Sequence, residues 1–277
     1  MIITSTTNRI VVETTKLSQR KYRWQRQLFI AERQKIIELA MQSKKMPCQI
    51  FFAEELLKTS ESEALLSVFN NMKIDIIYVD KKVMTKMSQL ETPTCFLAVF
   101  DMVQYSFDNY MKQNENENLN KLVLILDRLQ DPGNLGTLIR VADSVGAFSV
   151  ILLSPCVDPF DIKVVSASMG SIFSVPLIIR DDIFECLNEI KKKFKIIGTD
   201  PVKGEIPWKT NIFDGSLAIL LGNESRGLDQ TLNEYIDDFV TLPMLGKSES
   251  LNVAIAGGVL SYEWLKYNWK SSIRNEK

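Results

Sequence analysis

The chain reads as a two-domain α/β protein with mainly parallel sheets. Apolar runs that suit buried strands alternate with helix-period segments along most of the sequence. At 277 residues it is longer than one typical domain of roughly 100 to 200 residues and short for three. A polar stretch without periodicity, Gln113-Asn114-Glu115-Asn116-Glu117-Asn118, interrupts the pattern. These features predict a small α/β domain over 1–108, a linker or exposed loop over 109–120, and a second domain over 121–277.

In the first half, Phe29-Ile30-Ala31, Gln49-Ile50-Phe51-Phe52-Ala53, Ile74-Asp75-Ile76-Ile77-Tyr78-Val79 and Phe96-Leu97-Ala98-Val99-Phe100 are strand-like, with charged helical stretches between them. In the second, Leu122-Val123-Leu124-Ile125-Leu126 is a continuous apolar run of the kind that a strand covered on both faces requires. Leu138, Ile139, Ala142 and Val145 fit one helix face, and Gly146 sits where a left-handed stop is expected. A strand over 148–153 follows. A second helix starts near Asp182 and leads into the strand-like Lys195-Ile196-Ile197-Gly198. The runs over 217–221 and 239–242 complete the strands, and a helix is expected over 251–267.

Composition removes several classes of function. With 45% hydrophobic and 24% charged residues the chain can bury a core. Lys plus Arg (33) balances Asp plus Glu (34), so any affinity for nucleic acid must come from a local basic face. Cys48, Cys95, Cys156 and Cys186 form no CxxC pair, so neither a zinc module nor a disulfide framework is indicated, and no metal is expected. The N-terminus lacks a leader pattern and no run of about 18 apolar residues occurs, so a cytoplasmic protein without membrane attachment is expected. Histidine is absent, so any catalysis works without imidazole.

Ligands of open parallel sheets bind at the carboxyl ends of strands. Three loops there combine glycine with amides, hydroxyls or charges: 127–134, which leads to Gly136 and Arg140; 221–228; and 242–252. Gly133-Asn134-Leu135-Gly136 lacks the Gly-x-Gly-x-x-Gly of a dinucleotide site, which argues against a nicotinamide dehydrogenase. Gly246-Lys247-Ser248 lacks the upstream glycine of a phosphate-binding loop.

Together and in order, Asp131-Pro132-Gly133-Asn134-Leu135-Gly136-Thr137-Leu138-Ile139-Arg140, Leu221-Gly222-Asn223-Glu224-Ser225-Arg226-Gly227 and the stretch 242–252 resemble the three motifs of the SpoU/TrmH group of SPOUT RNA 2′-O-ribose methyltransferases. The resemblance covers essentially all of 121–267. It implies a C-terminal domain with a deep trefoil knot, S-adenosylmethionine as cofactor, and a homodimer with active sites at the interface. The first half, with Phe29-Ile30-Ala31-Glu32, is similar to the ribosomal-protein-like RNA-binding domain that precedes many of these catalytic domains. That family usually has glycine after the glutamate, where Arg33 stands here.

The resemblance assigns Asn134, Arg140, Glu224, Ser250 and Asn252 to the reacting end, and Gly222, Leu242, Met244 and Leu251 to the cofactor. Guanidinium has a pKa above about 12 and only donates, so Arg140 suits gripping a phosphate and stabilising a developing alkoxide better than acting as base. Ser250 also suits the N-cap of the last helix, with Asn252 just inside it. For RNA capture, Arg20, Lys21, Arg23 and Arg26 interleave with Tyr22 and Trp24, aromatics able to stack on bases, although such a run can also be a solvated face. The substrate expected is RNA, ribosomal RNA ahead of transfer RNA because of the full N-terminal domain. A non-catalytic RNA-binding or assembly factor on the same fold is the alternative.

Overall fold

The structure, a computed structural model, describes residues 1–72, 74–113 and 119–272. Residues 114–118 of the expected linker and 273–277 of the expected second domain lie outside the described residues. The chain divides into two compact units: Met1–Val103 with Asp158–Ser174, and Gln104–Val157 with Val175–Lys277.

The first unit holds a four-stranded sheet of β1 (Leu28–Glu32), β2 (Gln49–Phe52), β3 (Ile76–Tyr78) and β4 (Phe96–Asp101), in the order β1-β4-β2-β3. All four strands fall where the apolar runs place them. Their directions differ from the parallel expectation: β4 lies between β1 and β2 and runs antiparallel to both, leaving only β2 and β3 parallel. Hydrophobic runs report burial and carry no information about strand direction. Arg33 has φ +69°, a conformation that favours glycine, at the position where the resemblance leads one to expect glycine.

Asp158–Ser174 follows the second strand of the other unit in sequence but packs with the first unit. Phe29 lies 5.1 Å from Phe160 and 5.8 Å from Phe173 between ring centroids, and Phe100 lies 4.7 Å from Phe173. Asp158 takes Arg23 Nε at 3.0 Å and Nη2 at 2.7 Å, while Arg23 Nη1 donates to the carbonyls of Leu17 and Ser18. A guanidinium buried this deeply must have every donor satisfied.

The second unit holds six parallel strands: β5 (Leu122–Asp127), β6 (Ser149–Leu153), β7 (Leu177–Arg180), β8 (Lys195–Thr199), β9 (Leu217–Leu221) and β10 (Asp238–Val240). Their order is β10-β8-β9-β5-β6-β7. Leu122 to Leu126 are each 0% exposed, which is why β5 reads as an unbroken apolar run. Each such side chain stabilises the fold by about 1.5–3 kcal/mol. From β5 the chain moves towards β7, and from β9 towards β10, so β5 and β9 flank the switch point of the sheet.

The helix Pro132–Ser144 begins with Asp131 capping the Asn134 N–H and Pro132 in the first turn, and Gly146 follows it at φ +64°. Val253–Ser272 packs against it. A Cβ on Gly257 would lie 2.5 Å from Leu138 and 2.9 Å from Leu221, so this glycine allows the closest approach of the last helix to β9. Asn109 to Gln113, expected as linker, belong to the helix Phe107–Gln113, whose Phe107 and Met111 are buried in the core of this unit.

Removing Asp158 leaves the buried Arg23 charge without its bidentate partner and with only the longer contact to the more exposed Asp161. Asp158→Ala is therefore expected to cost about 3–5 kcal/mol, read as a lowered urea midpoint by circular dichroism. Asp161→Ala, whose carboxylate is more exposed and 3.3 Å away, should cost much less.

Candidate active site

The loops after β5 and β9 emerge side by side, because the two strands are parallel neighbours with Leu126 paired to Leu221. The β9 loop is very tight. Asn223 and Gly227 exchange backbone hydrogen bonds of 3.0 and 2.9 Å, and a Cβ on Gly222 would lie 2.4 Å from the Gly227 and Leu228 backbones. Only glycine fits there, and Gly227 at φ +66° closes the loop.

Glu224 projects from this loop onto the start of the helix Pro132–Ser144. Its carboxylate accepts from the backbone N–H of Asp131 at 3.0 Å and of Gln130 at 3.3 Å, and from Asn134 Nδ2 at 3.2 Å. Burial pushes this carboxyl up, but these hydrogen bonds outweigh it and hold Glu224 below the usual carboxylate range. Asn134 Oδ1 in turn accepts from Asn252 Nδ2 at 2.9 Å. Asn252 Oδ1 accepts the N–H groups of Ala254 and Ile255, so Asn252, not Ser250, caps the last helix. Ser250 is exposed in the preceding loop, two residues short of the cap.

Three of the five residues expected at the reacting end, Asn134, Glu224 and Asn252, are thus joined in one chain of hydrogen bonds. Arg140 is not part of it. It stands six residues beyond Asn134, about 9 Å along the helix axis, and is exposed. Among the described residues its guanidinium has no ion pair or hydrogen bond, so it is free for an anionic ligand.

Gly222 is buried at the β9 turn, and Leu242 and Met244 are half-buried after β10, whereas Leu251 is 37% exposed. Among the described residues, no backbone N–H from 242 to 251 donates to another protein group. This segment therefore offers open amides beside apolar side chains. That combination fits an adenosyl group, whose base edge needs backbone partners and whose flat purine faces pack against apolar side chains.

Sequence reasoning missed Asp127, Arg128 and Asn223 as site residues. Asp127 is 1% exposed, and its carboxylate pairs with Arg128 and accepts the Asp229 N–H at 3.0 Å. The signal was a carboxylate closing a buried strand that leads into a motif. The four cations expected to hold RNA fare differently. Arg20 and Lys21 are exposed and lie beside Trp24 and Tyr22, at 5.8 and 6.0 Å from the ring centroids. Arg26 is exposed but paired with Glu13. Arg23, 3% exposed, is a structural cation and cannot reach RNA without breaking its pair with Asp158.

The three loops lie within residues 121–262, which match the SpoU rRNA Methylase family. This chain belongs to that family. Residues 8–98 match the MRM3-like substrate binding domain. A curated relative, the 23S rRNA (guanosine(2553)-2′-O)-methyltransferase RlmP of Bacillus subtilis (strain 168), is 30% identical over 261 residues, 94% of this chain and 97% of its own. An AdoMet-bound rRNA methyltransferase from Sinorhizobium meliloti superposes with a TM-score of 0.83 at 25% identity, covering 96% of this SpoU-family chain and 98% of that one. An RNA 2′-O ribose methyltransferase superposes with a TM-score of 0.80 at 28% identity, covering 97% and 100%. Among the described residues of this family member, no group of three His, Cys, Asp or Glu could hold a metal, and no helix is long and apolar enough to cross a membrane.

Glu224 ties pH to stability. Because its folded pKa is lowered, its contribution is complete above the ordinary value of about 4.3 and is lost as pH falls through the lowered one. Glu224→Gln is expected to flatten the acid limb of a stability–pH curve, and an unchanged limb would contradict the geometry. Asn252→Ala should lose about 1 kcal/mol of stability from the missing cap, whereas Asn252→Asp should keep the cap and release only Asn134.

Proposed function

We propose that this chain is an enzyme that methylates a ribose 2′-hydroxyl of RNA, ribosomal RNA foremost, with S-adenosylmethionine as methyl donor. The observation that carries this reading is the hydrogen-bonded chain Glu224–Asn134–Asn252 at the switch point of the parallel sheet, in a member of the SpoU family. RNA as the substrate class is further supported by the matched substrate-binding domain and by the rRNA methyltransferase relative.

The cofactor, when bound, supplies a methyl group on a sulfonium whose breaking bond leaves its electron pair on sulfur. Gly222, Leu242, Met244 and Leu251 would hold it through backbone groups and apolar contact. Asn134 has its amide orientation fixed, because Oδ1 faces a donor on Asn252 and Nδ2 faces the Glu224 carboxylate. A second N–H on Nδ2 is left to position a ligand. Glu224, held ionised, has acceptor capacity remaining for a nucleotide hydroxyl. Arg140 grips a phosphate of the target nucleotide and stabilises the alkoxide as the 2′-oxygen loses its proton to that phosphate or to water. Ser250, exposed beside the cap, contacts the same nucleotide.

The last helix presents Ile255, Val259, Tyr262 and Trp269 on one exposed stripe, at 55%, 41%, 54% and 56% exposure. We place a second copy of the chain there, bringing the Arg140 of one protomer and the loops of its partner into one site. The knotted threading of the C-terminal segment and action in the cytoplasm belong to the same reading. In the first unit, Arg20 and Lys21 with their aromatic neighbours capture RNA, with Arg26 contributing once released from Glu13.

Arg140→Ala is expected to lower methyl transfer at least about 10²-fold while calorimetric affinity for S-adenosylmethionine persists. Retained turnover would contradict the assignment, and a wild-type protein that does not bind S-adenosylmethionine would favour the non-catalytic alternative. Reversing Arg20 and Lys21 to Glu should raise the KM for RNA severalfold without changing cofactor affinity.

A further inference from the structure

We propose that Arg128 is a positioning residue that clasps the β9 loop to the end of β5 and thereby aims Glu224 at Asn134. The inference rests on the proposed reaction only for its catalytic consequence. The clasp itself is geometric.

Arg128 is the first residue beyond β5 and adopts φ +53°, a left-handed conformation uncommon for a long side chain. That turn directs both its carbonyl and its guanidinium to the neighbouring loop. The carbonyl accepts Asn223 Nδ2 at 2.8 Å. Nη2 donates to the Gly227 carbonyl at 3.3 Å and Nη1 meets Asp229 at 3.1 Å. Nε and Nη2 both bond the buried Asp127 carboxylate at 2.9 Å, which fixes the guanidinium plane. Asp127 also accepts the Asp229 N–H, so two consecutive residues hold the β9 loop at Asn223, Gly227 and Asp229. Glu224 lies between those anchor points. Its carboxylate takes a 3.4 Å bond from Asn223 Nδ2 in its own loop, but its other partners, Gln130, Asp131 and Asn134, sit on the β5 side, so its reach depends on how firmly the two loops are joined. Parallel strands at a switch point send their chains apart, and nothing in the sheet ladder beyond Leu126 and Leu221 would keep these loops together.

The test uses the full-length protein and its Arg128→Ala, Arg128→Asn and Arg128→Lys variants. The first readout is the ¹³C carboxyl titration of Glu224 together with amide exchange at Gly227. With Ala, the Glu224 midpoint should move up towards the usual carboxylate range and Gly227 should exchange faster. Asn, which tolerates the left-handed backbone but lacks the guanidinium, should behave like Ala, whereas Lys should restore part of both. The second readout is methyl transfer to ribosomal RNA. With Ala, kcat should fall about 10²-fold, the scale of an ångström-sized misplacement, with the KM for cofactor little changed. An unchanged Glu224 titration and Gly227 exchange in Arg128→Ala, or full rescue by Asn, would overturn the clasp. If the wild-type protein transfers no methyl group, the proposed reaction fails, while titration and exchange still decide the clasp. A variant that fails to fold is replaced by Arg128→Lys, whose titration must lie between wild type and ordinary carboxylate behaviour.

Discussion

The site depends on one interaction, the Glu224 carboxylate seated on the amides that open the helix after β5. One of them, the Asp131 N–H at the cap, would otherwise be unpaired, because the start of a helix has no intrahelical acceptors for its N–H groups, and the other, Gln130, immediately precedes the cap. Asp131 satisfies the Asn134 N–H, and Glu224 satisfies those of Asp131 and Gln130. A helix start is thereby completed by a carboxylate from a different strand. The sequence separation is large, yet the spatial arrangement follows directly from β5 and β9 being neighbours.

The same economy recurs at the start of the last helix. Asn252 uses its oxygen as the cap and its nitrogen to hold Asn134, so one side chain both begins a helix and orients the amide that Glu224 binds from the other side. The three residues therefore stabilise the fold and the site together. Arg140 contrasts with them. A guanidinium that is exposed and unpaired among the described residues contributes little to folding, and its value lies in what it can bind.

Much of this was legible in the sequence, for physical reasons. β5 announced itself because burial on both faces demands an uninterrupted apolar run, and the three loops stood out because glycine, amides and charges gathered at strand ends. Other features were hidden. β7 is only four residues long, with a burial pattern that fades along its length, and it gave no usable signal. Arg23 looked like an RNA-binding cation because its neighbours are basic and aromatic, but its fate is set by Asp158, 135 residues away. Ser250 and Asn252 are both good caps by residue type, and only the backbone decides between them. The role of Arg128 depends on a left-handed turn that no propensity would assign to arginine.

In the proposed function these loops carry out ribose methylation of RNA. Its most direct test is to incubate the purified protein with S-adenosylmethionine and unmodified ribosomal RNA, digest the RNA, and examine the nucleosides by mass spectrometry. One new nucleoside with the methyl group on its ribose is the expected result. A methyl group on a base, or no transfer by protein that binds the cofactor, would contradict the account.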